Sequence, residues 1–232
     1  YRRRMTDSYA FPPRPPQALE ISGTAAKFPV RRIFCVGRNY AAHAAEMGDS
    51  DPAPPFFFTK PADAATNAET VPFPPRTADL HFEGELVVAI GHGGADIAPA
   101  NASGHIFGCA AGLDLTRRDL QTQARAKGQP WDTAKAFDNA APIGPITPLA
   151  TTDMLNRGTL RTRVNGNLRQ DGDIADMIWP VPALIAELST FFMLEAGDLI
   201  FTGTPAGVGA VERGDQITVE IDGLAPLRMV LS

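Results

Sequence analysis

Apolar positions fall in two rhythms along this chain. Runs of roughly four to eight apolar residues bounded by glycine or proline predict strands, and apolar positions repeating every three to four or so predict helices. Residues 1–30, punctuated by Pro12, Pro13, Pro15, Pro16 and Pro29, read as an extended N-terminal arm. Ile33 to Val36 reads as a short strand that Gly37 breaks, and Asn39 caps a helix through NYAAHAAEM that Gly48 stops. Residues 49–55 read as a loop, FFFT (56–59) as a buried strand fragment, and 61–79 as a proline-rich loop. From Phe82 to Ile90 the strand pattern returns, and its period of two places Glu83, Glu85, Val87 and Ala89 on one face. HIFGCAAGLDLT predicts another strand, ending in the acidic Asp114, and RRDLQTQARAKG predicts a helix up to Gly128.

The second half carries more strand signal. LRTRV and LRQ flank Asn165-Gly166, a strong hairpin dipeptide that calls for a type I′ turn. VPALIAELSTFFML predicts an apolar helix with Pro182 in its first turn, closed by EAGD. DLIFTG, QITVEI and PLRMVL supply three further strands between glycine turns. Without an internal repeat or a linker-like gap, residues 31–232 read as one mixed α+β domain.

Composition narrows the class of partner. The 21 glycines and 21 prolines exceed ordinary usage yet stay below the roughly 25–30% of low-complexity chains, so many turns between short strands are expected. A net charge of −5 gives no electrostatic footprint for nucleic acid, which leaves small molecules or proteins. Cys35 and Cys109 stand far apart in no metal-binding spacing and read as core thiols of a protein in a reducing cytoplasm. The start has basic residues but no apolar segment, so it does not read as a secretory signal; Met5 is expected as the natural first residue, and no run approaches the ~18 apolar residues of a membrane span. Only four lysines occur, Lys27, Lys60, Lys127 and Lys135.

Several residues carry candidate chemistry. Glu83 and Glu85 on one strand face either stand in solvent or, if buried, repel unless a cation lies between them. Asp114, at the end of the next strand, is either a helix N-cap or a third oxygen ligand; three carboxylates suit Mg2+ or Mn2+ rather than zinc. His43 and Glu46, at i and i+3, form either a surface pair or a general base held by a carboxylate. Lys135 and Arg118 are surface charges or cations for a substrate carboxylate or an enolate. Thr202-Gly203-Thr204-Pro205 reads as a turn able to grip an anion or as a plain strand exit.

In order along the chain, IFCVGRNYAAHAAEMG, FFFTKP, LHFEGELVVAIG, GLDLTRRDLQ, KGQPWDTAKAFD, VNGNLRQDG, DMIW and GDLIFTGTPAGVG resemble the fumarylacetoacetate hydrolase family. The resemblance implies a mixed β-roll with short helices, a homodimer, and a Mg2+ or Mn2+ site formed by Glu83, Glu85 and Asp114. It implies catalytic roles for His43, Glu46 and Lys135 and substrate contacts from Arg118, Gln121 and Thr204. Phe82 departs from the family pattern, which often has a second histidine there. The expected reaction is hydrolysis of a carbon–carbon bond in a 2,4-dioxo acid, most like the fumarylpyruvate hydrolases of gentisate breakdown. Acylpyruvase chemistry, or oxaloacetate decarboxylation or tautomerisation, is the alternative on the same scaffold. Arg38 and Lys60 are candidates to meet a distal carboxylate, with structural roles equally open.

Overall fold

The computed structural model describes residues 8–46, 54–150 and 155–232. Met5, Met47, Gly48 and most of the loop expected at 49–55 lie outside the described residues. In chain order the first strands are β1 (Ala18–Glu20), β2 (Lys27–Pro29) and β3 (Arg32–Gly37), followed by helix α1 (Ala41–Glu46) and β4 (Phe56–Lys60). Short strands β5 (Ala65–Thr66), β6 (Thr70–Val71) and β7 (Leu80–Phe82) precede β8 (Gly84–Ile90), β9 (Ile106–Leu113) and β10 (Thr116–Arg117). Helices α2 (Arg118–Ala126) and α3 (Asp132–Lys135) lead to β11 (Ala141–Pro142), β12 (Thr147–Pro148) and the hairpin β13 (Thr159–Val164) and β14 (Asn167–Asp173). Helix α4 (Val181–Phe191) and strands β15 (Asp198–Phe201), β16 (Gly209–Val211), β17 (Gln216–Ile221) and β18 (Leu227–Leu231) complete the chain.

The expected α+β class holds: short helices surround mixed sheets. The central sheet has the order β12-β9-β8-β15-β3-β4, and a second has the order β14-β13-β17-β18-β6. Both faces of the central sheet are covered. Leu86, Val88, Ile90, Phe34 and Ile200 pack with Leu184, Ile185 and Leu188 of α4, while Val87, Ala89, Ile33, Cys35, Leu199 and Phe201 form the opposite core. Burial on both faces explains why β8 and β9 read as continuous apolar runs rather than alternating ones. Cys35 and Cys109 are buried free thiols, and burial pushes the Cys109 thiol up to about 12.

Pairing directions decide where the site falls. β15 runs parallel to β3 and antiparallel to β8, and β8 runs antiparallel to β9. The C-terminal ends of β3, β9 and β15 and the N-terminal end of β8 therefore meet at one edge of the sheet. Edge strand β4 joins them there, with Phe56 opposite Gly37.

Several expectations are corrected. The N-terminal stretch contains the hairpin β1–β2, whose Leu19 is fully buried. Asn39 does not cap the helix. Its Nδ2 donates to Trp179 O (2.9 Å) and Thr202 O (2.8 Å), and its Oδ1 accepts from the Trp179 N–H (2.8 Å). FFFT forms the edge of the sheet and is half-exposed rather than buried. The strand expected from Phe82 to Ile90 divides at Glu83, because Leu80–Phe82 turns to pair with β10 and β16. The type I′ reading of Asn165-Gly166 is sound: both residues have positive φ, 52° and 78°. No helix among the described residues is long and apolar enough to cross a membrane.

Candidate active site

The backbone builds the acidic cluster. The Asp114 N–H donates to Glu83 O (2.9 Å), continuing the β8–β9 ladder by one residue past Gly84 and Leu113. Asp114 thus sits beside Glu83, and Glu85 follows by the strand period. One oxygen from each carboxylate lies within 4.8 Å of the others, and all three residues are buried. The solvated-face reading of Glu83 and Glu85 is excluded by that burial.

Cations bind two of the three carboxylates. Lys135 Nζ bridges Glu83 Oε2 (2.7 Å) and Asp114 Oδ2 (2.8 Å), and Arg118 reaches Glu83 Oε1 (2.5 Å). Burial favours a neutral Glu83, yet Lys135 and then Arg118 hold its carboxyl well below the ordinary range. Burial likewise disfavours the Lys135 ammonium, but Asp114 and Glu83 outweigh it and keep the amine firmly protonated. Glu85 is treated differently. Among the described residues no cation pairs with it; the Gly203 N–H donates to its Oε2 (2.7 Å). Burial, then Asp114 and Glu83, push its carboxyl well above the ordinary range. A divalent cation among these hard oxygens would remove that penalty, so the donor set fits Mg2+ or Mn2+.

The cluster floors a cavity of about 120 Å3. His43 of α1, itself buried, lines one side. Glu46 ends the same helix one turn on, and its side chain lies outside the described residues. Along α2, Arg118, Gln121, Thr122 and Arg125 face the cavity at the i, i+3, i+4, i+7 spacing of one helix face. Arg118 donates through Nη1 to Gln121 Oε1 (2.5 Å), through Nη2 to Glu83, and through Nε to His81 Nδ1 (3.4 Å). Two of its five N–H donors remain. Arg38, whose φ is 59°, stands over the Phe56 ring (5.5 Å) and, with Phe58 and Trp131, lines the outer part.

One expected substrate contact is corrected. Lys60 does not line this cavity; it lies behind Asp114, with Nζ 2.7 Å from Oδ1, and donates to the carbonyl oxygens of Lys135 and Leu115. Its ammonium is consumed in holding Asp114 and the Lys135 backbone. Thr204 lines the cavity, and its hydroxyl donates to Gly84 O (2.8 Å). Phe82 is core. Arg125 and the aromatic wall were missed; the α2 spacing continued one turn past Gln121 would have found Arg125. No sequence signal marks Trp131, which the short α3 brings to the cavity.

Fold and site together define a mixed-sheet α+β protein whose cavity combines buried carboxylates, a histidine and buried cations. The chain belongs to the fumarylacetoacetate hydrolase family, whose C-terminal domain matches residues 32–232. It is 44% identical over 177 residues to the fumarylpyruvate hydrolase of a Ralstonia species, covering 76% of this chain and 92% of that protein. It is 43% identical over 204 residues to an oxaloacetate tautomerase of Escherichia coli (strain K12), covering 87% and 93%. The crystal structure of fumarylpyruvate hydrolase from Pseudomonas aeruginosa in complex with Mn2+ and pyruvate matches with a TM-score of 0.94 at 48% identity, covering 97% of this chain and 99% of that one.

Proposed function

We propose that this chain is a metal-dependent hydrolase that cleaves the carbon–carbon bond of a 2,4-dioxo acid, converting fumarylpyruvate to fumarate and pyruvate. The observation that carries this reading is the convergence of Glu83, Glu85 and Asp114 with His43, Lys135 and Arg118 in one cavity. The three carboxylates would hold Mg2+ or Mn2+, which, when bound, would supply a Lewis acid for the substrate's oxo-acid end.

The side chains do the rest. Arg118 offers its two remaining N–H donors to the pyruvyl carboxylate, and Gln121, bonded to its Nη1, fixes the guanidinium plane. His43 takes a proton from the water that attacks C4. The new bond joins that water oxygen to C4, the C3–C4 bond breaks, and the electron pair passes to C3 and the 2-oxo oxygen. Lys135, held cationic at the same place, faces this developing charge. Protonation of C3 then gives pyruvate. Arg38 and Arg125 at the outer part of the cavity suit the distal carboxylate of a fumaryl arm, and Phe56, Phe58 and Trp131 suit its apolar carbons.

Oxaloacetate chemistry is the second reading, supported by the similarity to the Escherichia coli tautomerase. It needs the same pyruvyl grip without an attacking water. Comparison of kcat/KM for fumarylpyruvate, acetylpyruvate and oxaloacetate with Mg2+ or Mn2+ separates the readings. Fumarylpyruvate is expected to lead. Turnover of oxaloacetate alone would overturn the hydrolase assignment. Arg125→Ala should raise KM for fumarylpyruvate and leave that for acetylpyruvate, which has no distal carboxylate; equal effects on both would remove Arg125 from that role.

A further inference from the structure

Gln170 lies on β14, in the second sheet, and is not itself among the residues that line the cavity. Most of that strand is exposed, yet Gln170 is fully buried. The pairing with β13 slips between Thr162, opposite Gln170, and Arg163, opposite Leu168, leaving Arg169 as an extra residue. This bulge turns the Gln170 amide inward to the central sheet.

There the amide makes three bonds. Its Oε1 accepts from the Gly84 N–H (3.0 Å), and its Nε2 donates to Thr204 Oγ1 (2.7 Å) and Pro205 O (2.9 Å). Thr204 Oγ1 in turn donates to Gly84 O. Gly84 is the residue between Glu83 and Glu85, and both its backbone polar groups are held by side chains. The approach is so close that a Cβ on Gly84 would overlap Thr162 Oγ1. One donor and two acceptors must be met here beside two carboxylates. An amide does this without adding charge, because it carries two N–H donors and a carbonyl acceptor on one neutral group.

We propose that Gln170 is a positioning residue that, with Thr204, clamps the Gly84 peptide so that Glu83 and Glu85 present their oxygens together to a divalent cation. The proposal rests on the metal reading above. It assigns the Thr204 hydroxyl proton to Gly84 O within this clamp.

The test measures Mn2+ affinity by electron paramagnetic resonance of the free ion, beside thermal melting of the metal-free protein. Gln170→Met keeps the length of the side chain and removes all three bonds. It is expected to raise the Mn2+ Kd by about 10- to 100-fold, the usual cost of losing a partner that orients metal ligands. Thr204→Val removes the other half of the clamp and should do the same, while Thr204→Ser restores binding near the wild-type value. This pair decides the matter if Gln170→Met does not fold. Lower melting temperatures with unchanged Kd in Gln170→Met and Thr204→Val would overturn the clamp alone. Wild-type protein that takes up no Mn2+ would overturn the metal reading and the clamp with it.

Discussion

Burial alone favours the neutral form of a carboxyl such as Glu85, and Asp114 and Glu83 add like charge from the same cavity. The folded metal-free protein bears that repulsion. Glu85→Gln should therefore raise the melting temperature without metal and remove most of the increase that Mn2+ gives the wild type; a lower metal-free melting temperature would count against a strained carboxylate. His43 contributes differently, because it lines the cavity without belonging to the three-carboxylate set. His43→Ala should lower kcat for hydrolysis by roughly 100- to 10,000-fold while Mn2+ titration stays unchanged, and parallel loss of both would make it a ligand. Lys60 shows what a side chain's neighbours decide: from composition it was a scarce cation, and its buried pairing with Asp114 makes it a support. Lys60→Met leaves Asp114 with Lys135 alone and the Lys135 and Leu115 carbonyl oxygens without their donor, a loss of stability that a denaturant titration would register.

The strands were legible because their apolar runs are bounded by glycine and proline, and the acidic cluster was legible because strand period and strand ends carry it. Other features depend on contacts between segments far apart in sequence. Asn39 has the composition of a helix cap, but Trp179 and Thr202 claim its amide from 140 and 163 residues away. Gln170 is turned inward by a bulge, which leaves no periodic trace. The break at Glu83 was hidden for a similar reason: Leu80–Phe82 and Gly84–Ile90 continue one pattern but pair with different partners. At this scale Gly84→Ala is the sharp change. Its Cβ meets Thr162 and Gln170 across the two sheets, and overpacking of about 1–3 kcal/mol should lower the melting temperature by several degrees and weaken Mn2+ binding together. Retention of both would show that the two sheets part easily there.

Taken as a whole, the molecule gathers five strand ends, α1, α2 and α3 around one cavity at an edge of the central sheet, with the second sheet packed against the acidic cluster through Gln170 and Thr162. Its net charge of −5 does not describe how it meets an anion. Four cations, Arg38, Arg118, Arg125 and Lys135, line the cavity beside Glu83, Glu85 and Asp114, and a bound divalent ion would add positive charge there. On the proposed reading, Arg38, Arg125 and the rings of Phe56, Phe58 and Trp131 are the groups that would meet a fumaryl arm. The central claim is that this site splits a carbon–carbon bond with water. Proton NMR of fumarylpyruvate incubated with the protein and Mn2+ tests it directly: fumarate and pyruvate should appear in equal amounts as the substrate signals fall. Fumarylpyruvate left intact by protein that tautomerises or decarboxylates oxaloacetate under the same conditions would contradict it.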